Sequence, residues 1–172
     1  ALHVRLDGPI DRRHLHDALY RVGSESGLRQ SRLVPDATAP ADPARARLVL
    51  VDDAPMNYSV VDLSGTGDRA DDDERSAPYA AAEAWAAAEH RRPVDVAGTD
   101  LVRVALLIID DTPGRERALL YLRAHHLVLD GHGAFTLLGR IADAYSGRPT
   151  PEPPLSPDVA DRIHASETAY AT

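Results

Sequence analysis

The sequence predicts an α/β fold, a two-layer sandwich in which a mixed β-sheet has helices packed on it. Three observations lead there. Strand-like and helix-like stretches are mixed along the chain, each helical stretch carries an apolar stripe that needs a sheet to cover it, and the sheet-forming stretches include one nearly continuous apolar run. At 172 residues, 44% hydrophobic and 27% charged, the chain is long enough to bury one core and too short for two ordinary domains.

Leu2-His3-Val4-Arg5-Leu6 alternates with the period of a half-buried strand, and Asp7-Gly8-Pro9 ends it with turn chemistry. Asp11 then caps a helix whose Leu15, Ala18, Leu19 and Val22 form one stripe. A short strand over 28–34 is followed by a loop over 35–43, rich in proline, alanine and aspartate. Further strands are expected over 46–51 and 58–63. The acidic run Asp71-Asp72-Asp73-Glu74 lacks the alternating ligands and glycine of a calcium loop and reads as a solvated turn. Ser76 and Pro78 open an alanine-rich helix to Arg92, with Tyr79, Ala82, Trp85, Ala86 and Glu89 on one broad face and Trp85 in the core. The apolar strand over 101–109 turns through 110–114 into a neighbouring strand over 117–129, and a helix over 133–145 carries Ala134, Leu138, Ile141 and Tyr145 on a stripe. Helices are expected on one side of the sheet. Residues 147–157 hold five prolines and read as a linker.

Composition closes several chemistries. All 19 basic residues are arginine, so a Walker-type phosphate loop, a Schiff-base lysine and a lysine general base are excluded. Zero cysteines exclude disulfides, thiolate nucleophiles and cysteine-ligated metals. A net charge of −8 argues against nucleic acid as a partner. The longest apolar run is far shorter than the roughly 20 residues of a membrane helix, so the expectation is a cytoplasmic chain with no membrane partner.

The stretch richest in chemistry is Ala124-His125-His126-Leu127-Val128-Leu129-Asp130-Gly131, between a strand and a helix. Continuing the strand alternation places His126 on the apolar face with Ala118, Leu120, Leu122 and Ala124, where burial would keep the imidazole neutral and able to accept a proton. His125 leaves from the other face. His125, His126, Asp130 and His132 look like a ligand set, but adjacent strand residues point apart and cannot share an ion without a bulge, so no metal is expected.

The pattern His-His-x-x-x-Asp-Gly at His125–Gly131 resembles the active-site signature of nonribosomal peptide synthetase condensation domains. Val60-Val61-Asp62-Leu63-Ser64, Arg92-Pro93-Val94-Asp95, Asp100 to Leu107, and Ala144-Tyr145-Ser146-Gly147-Arg148-Pro149 resemble that family's other segments, in the same order. Of the family's second motif, Leu28 and Arg29 stand in place, while Ser24-Glu25-Ser26 replaces the usual arginine-histidine-glutamate. The resemblance implies a chloramphenicol acetyltransferase-like lobe. Residues 1–172 would be the N-terminal lobe of a condensation domain, with 147–172 leading toward a C-terminal lobe outside this chain.

The resemblance implies amide bond formation between carrier-bound thioesters, with His126 as the catalytic residue and His125, Asp130, Gly131 and Arg29 supporting the motif. Asp130 would pair with Arg29, or with Arg103. Gly131 would either let backbone approach the thioester or be required by the turn itself. The lobe alone would bind no cofactor and be inactive. Its substrates would ride on the 4'-phosphopantetheine of donor and acceptor peptidyl carrier proteins, beside the C-terminal lobe and an adenylation domain. Wax ester synthase-like acyltransferases using coenzyme A, epimerization domains and noncatalytic relatives share the motif and stand as alternatives.

Overall fold

The computed structural model describes residues 1–26, 31–38, 45–50, 57–65, 79–95 and 101–150. Its elements are β1 (Leu2–Asp7), α1 (Arg12–Glu25), β2 (Ser31–Val34), β3 (Arg47–Leu50), β4 (Tyr58–Asp62), α2 (Ala80–His90), β5 (Val102–Asp110), β6 (Arg117–Ala124) and α3 (Gly131–Tyr145). A four-stranded sheet runs β1-β6-β5-β4, and β2 and β3 form a separate antiparallel pair. β1, β6 and β5 pair antiparallel, whereas β4 runs parallel to β5. A parallel pair needs a crossover connection, and α2 lies in it. The expected mixed sheet with packed helices is therefore the observed architecture.

The helices occupy both faces of the sheet, which corrects the expectation of a single covered side. Val104, Leu106, Ile108, Ala118, Leu120 and Leu122 pack on Leu15, Ala18, Leu19 and Val22 of α1 and on Leu137, Ile141 and Ala144 of α3. Ala105, Leu107, Leu119 and Tyr121 face the other way, onto Tyr79, Ala82 and Ala86. Trp85 meets the Tyr121 ring edge-on at 5.5 Å, the core position expected for it. The physical reason is legible in the 102–108 run. Such a strand is apolar at both parities and needs cover on both sides.

Both ends of α1 are tied to α3. The Tyr145 hydroxyl accepts from the Asp11 N–H at 3.0 Å, and the His14 ring lies 2.9 Å from the Tyr145 carbonyl. Toward the other end of α1, the buried Arg140 donates to the Glu25 carboxylate at 2.8 Å and to the Ser26 hydroxyl at 3.0 Å. Asp11 caps α1 as expected, accepting from the His14 N–H at 2.9 Å. α3 begins at Gly131 rather than at 133, and β6 ends at Ala124 rather than at 129. The expected strand over 28–34 is observed over Ser31–Val34, and residues 28–30 lie outside the described residues. The acidic run 71–74, the helix opening at Ser76 and Pro78, Arg29 and residues 151–172 lie outside the described residues.

At the end of the sheet away from the histidines, the Tyr79 hydroxyl donates to Asp7 at 2.9 Å and the Arg5 guanidinium lies 4.6 Å from the Tyr79 ring centre. Burial, then the hydrogen bond to Asp7, pushes the Tyr79 phenol up to about 12. A phenol whose pKa rises on folding contributes stability that is complete below its unfolded value near 10 and is lost as pH climbs toward 12. Tyr79→Phe should remove this alkaline loss, flattening the decline in chemical-denaturation midpoint between pH 10 and 12 relative to the parent. An unchanged decline would place the titrating group elsewhere.

Candidate functional site

The histidine turn begins where β6 stops. The His125 N–H bonds the Leu101 carbonyl at 2.8 Å, one rung beyond the last strand pair. The chain then folds on itself, as the His125 carbonyl accepts from the Val128 N–H at 3.0 Å and the Leu129 N–H at 3.2 Å. His125 Nδ1 accepts from the Leu127 N–H at 3.2 Å, which requires a lone pair there and puts the proton of the neutral ring on Nε2. His125 thus braces the turn with both backbone and ring.

Asp130 closes the turn and opens α3. Its backbone is extended, its carboxylate accepts from the Gly133 N–H at 2.6 Å, and its carbonyl accepts from the Ala134 N–H at 3.0 Å. It is an N-cap, a role that satisfies a helix amide and suits a negative charge at the helix start. The fallback pairing of Asp130 with Arg103 is not formed. Arg103 instead reaches Asn57, the Ser59 hydroxyl and the Glu89 carboxylate. Arg29, the first partner the resemblance implies, with Arg103 as the fallback, lies outside the described residues.

Between these anchors His126 stands exposed, its ring bonded to no described residue. This corrects the expectation of a buried imidazole on the apolar face. The alternation of β6 ends at Ala124, and the turn carries His126 outward while His125 stays half-buried. Leu127 and Phe135, 48% and 67% exposed, add apolar surface on the same turn and on α3. Among the described residues no three of His, Cys, Asp and Glu gather as metal ligands.

The two glycines of the turn differ. A Cβ on Gly131 would meet nothing within 4 Å, and its φ is not left-handed, so the turn itself does not demand glycine there. A Cβ on Gly133 would lie 2.8 Å from Leu129 Cδ1 and 3.1 Å from the capping oxygen of Asp130. Sequence reasoning missed Gly133. The signal was its place three residues after an Asp, where its amide is the one a cap engages.

The family model of the Condensation domain matches residues 4–171. The chain belongs to the condensation domain family. It is 31% identical over 157 residues to an isonitrile lipopeptide synthase of Streptomyces coeruleorubidus, covering 89% of this chain and 9% of that protein. The starter condensation domain of the rhizomide synthetase RzmA superposes with a TM-score of 0.72 at 22% identity, over 98% of this chain and 37% of that one. The first condensation domain of the calcium-dependent antibiotic synthetase, in complex with a substrate analogue, superposes at 0.70 with 25% identity over the same shares. A mutant of the RzmA domain in complex with C8-CoA matches at 0.66 and 25% identity, over 87% of this chain and 31% of that one. The condensation domain fold observed is the chloramphenicol acetyltransferase-like one expected from the sequence. No helix among the described residues is long and apolar enough to cross a membrane.

The cap and the glycine it engages should respond separately to substitution. Asp130→Ala should cost about 0.5–2 kcal/mol in chemical denaturation, while Asp130→Asn, which keeps an acceptor, should cost less. Gly133→Ala should destabilise through the capping oxygen of Asp130, 3.1 Å from the new Cβ and held by the Gly133 amide, since the tip of the flexible Leu129 side chain can move aside. A Gly133→Ala protein as stable as the parent would show that the Asp130 carboxylate can shift and that the cap is not tightly set.

Proposed function

We propose that this chain is the N-terminal lobe of a condensation domain that forms an amide bond between carrier-bound thioesters in nonribosomal peptide synthesis. The observation that carries the reading is the exposed His126, presented by a turn that His125 braces and Asp130 caps, within a condensation domain fold. The amine of the acceptor aminoacyl thioester attacks the donor acyl carbonyl, a tetrahedral oxyanion forms, and the donor thiol leaves. An α-ammonium has a pKa near 8, so about a tenth is already neutral at pH 7 and a strong base is not required. His126 orients the amine, takes its proton or stabilises the intermediate, roles worth about 10²–10⁴-fold.

Gly131 supports this reading through space. With nothing within 4 Å of its Cβ position, it leaves room for a thioester beside the start of α3, where helix amides favour developing negative charge. The lobe itself holds no cofactor in this scheme. Donor and acceptor substrates arrive on the 4'-phosphopantetheine of peptidyl carrier proteins, an adenylation domain supplies the acceptor, and the C-terminal lobe forms the opposite wall. Holding both reactants in attack geometry can supply roughly 7–11 kcal/mol of the barrier, so one wall alone should be inactive. A second reading, in which the donor comes directly from an acyl-CoA, is favoured by the C8-CoA complex of a related starter domain.

In the intact two-lobed protein, His126→Ala should fold normally and abolish product from loaded carriers, followed by mass spectrometry. Gly131→Ala should keep its stability and lose turnover, since its Cβ meets only open space within the lobe. Full turnover by the His126→Ala protein would overturn the catalytic assignment. Supplying the donor as acyl-CoA or as acyl-carrier in parallel separates the two donor readings.

A further inference from the structure

The sheet end that presents the histidine turn carries a buried ion cluster on the α2 side. Arg103 of β5 and Arg123 of β6 are direct cross-strand partners, an arrangement of like charges that destabilises a sheet unless both are engaged. Arg123 is only 6% exposed, and its Nη1 donates to the Glu89 carbonyl at 2.9 Å and the Arg92 carbonyl at 3.3 Å, at the C-terminal end of α2. A cation at a helix C-terminus satisfies orphan carbonyls and suits the helix dipole. Glu89, also 6% exposed, places its carboxylate 3.5 Å from Arg103 Nε and 3.0 Å from Arg92. Arg103 extends the cluster to Asn57 and Ser59 on the β4 side.

Resting on the reading of His126 above, we propose that Arg123, with Glu89, is a positioning residue for the histidine turn. Only Ala124 separates Arg123 from His125, and His125 is held by its rung to Leu101. The Arg123 fork fixes the last residues of β6 to α2, while Glu89 supplies the charge that lets two guanidiniums share the end of a ladder. The rigid strand end sets where the turn starts, and the turn sets where His126 points. Arg123 touches no reacting atom in this scheme and acts through His125.

The test uses the intact two-lobed condensation domain with loaded carriers. Arg123→Met keeps the alkyl stem and removes the fork. It should lower kcat at least tenfold with KM within twofold, and the ¹⁵N signature of the Nε2–H tautomer of His125 should weaken in the folded protein. Arg123→Lys keeps a cation that reaches one carbonyl, and should restore kcat to within about threefold to fivefold of the parent and recover the tautomer signature. If Arg123→Met fails to fold, the lysine variant carries the test through a kcat reduced threefold to fivefold at unchanged KM. Parent kcat and an unaltered His125 signature in the folded variants would overturn the proposal. His126→Ala run alongside keeps the two readings apart, because its inactivity together with fully active Arg123 variants defeats the clamp and leaves the catalytic histidine standing.

Discussion

The β5–β6 ladder is the constraint on which the rest of the structure depends. Its register pairs Val102 with Ala124 and Leu106 with Leu120, and it buries side chains on both faces. One face gathers α1 and α3, the other α2, so the three helices are located by one antiparallel pair. Apolar burial contributes about 25 cal/mol per Å², and among the described residues most of the largest fully buried side chains belong to these two strands. The same ladder ends in the rung from His125 to Leu101, and the histidine turn starts there.

That continuity explains how an exposed loop can hold a defined geometry. Loops carry function best when rigid elements fix both their ends. Here one end is a strand terminus engaged by the last ladder bond, and the other is a helix start engaged by Asp130. Between them the His125 ring accepts a backbone amide, so one histidine holds the shape and the other is left to face outward. The two adjacent imidazoles differ in environment because the chain turns between them.

Much of the fold was legible because it rests on period and composition. The stripe Leu15, Ala18, Leu19 and Val22 is the buried face of α1, and the 102–108 run is a buried strand. The side on which α2 packs was missed, although the apolar residues at both parities of that run already required two covers. The His-His-x-x-x-Asp-Gly pattern pointed to the candidate site but not to its geometry. Strand alternation was carried past Ala124, where three backbone hydrogen bonds of His125 end the ladder and start a turn, and such bonds leave no mark in side-chain periodicity. Asp130 was legible as structural, yet its partner is the Gly133 amide and not Arg103, because capping depends on backbone geometry at the helix start. Arg123 and Glu89 drew no attention as a pair, since residues 34 apart meet only through the packing of α2 on the sheet.

The account turns on where the His126 imidazole lies when both substrates are in place. A crystal structure of the whole condensation domain with a stable analogue joining donor and acceptor would measure it directly. The account predicts a His126 ring nitrogen within about 2.6–3.2 Å of the amine nitrogen or the oxyanion position, with His125 still accepting from Leu127 and Asp130 still capping α3. A His126 ring turned away, with the amine held by another side chain, would contradict it.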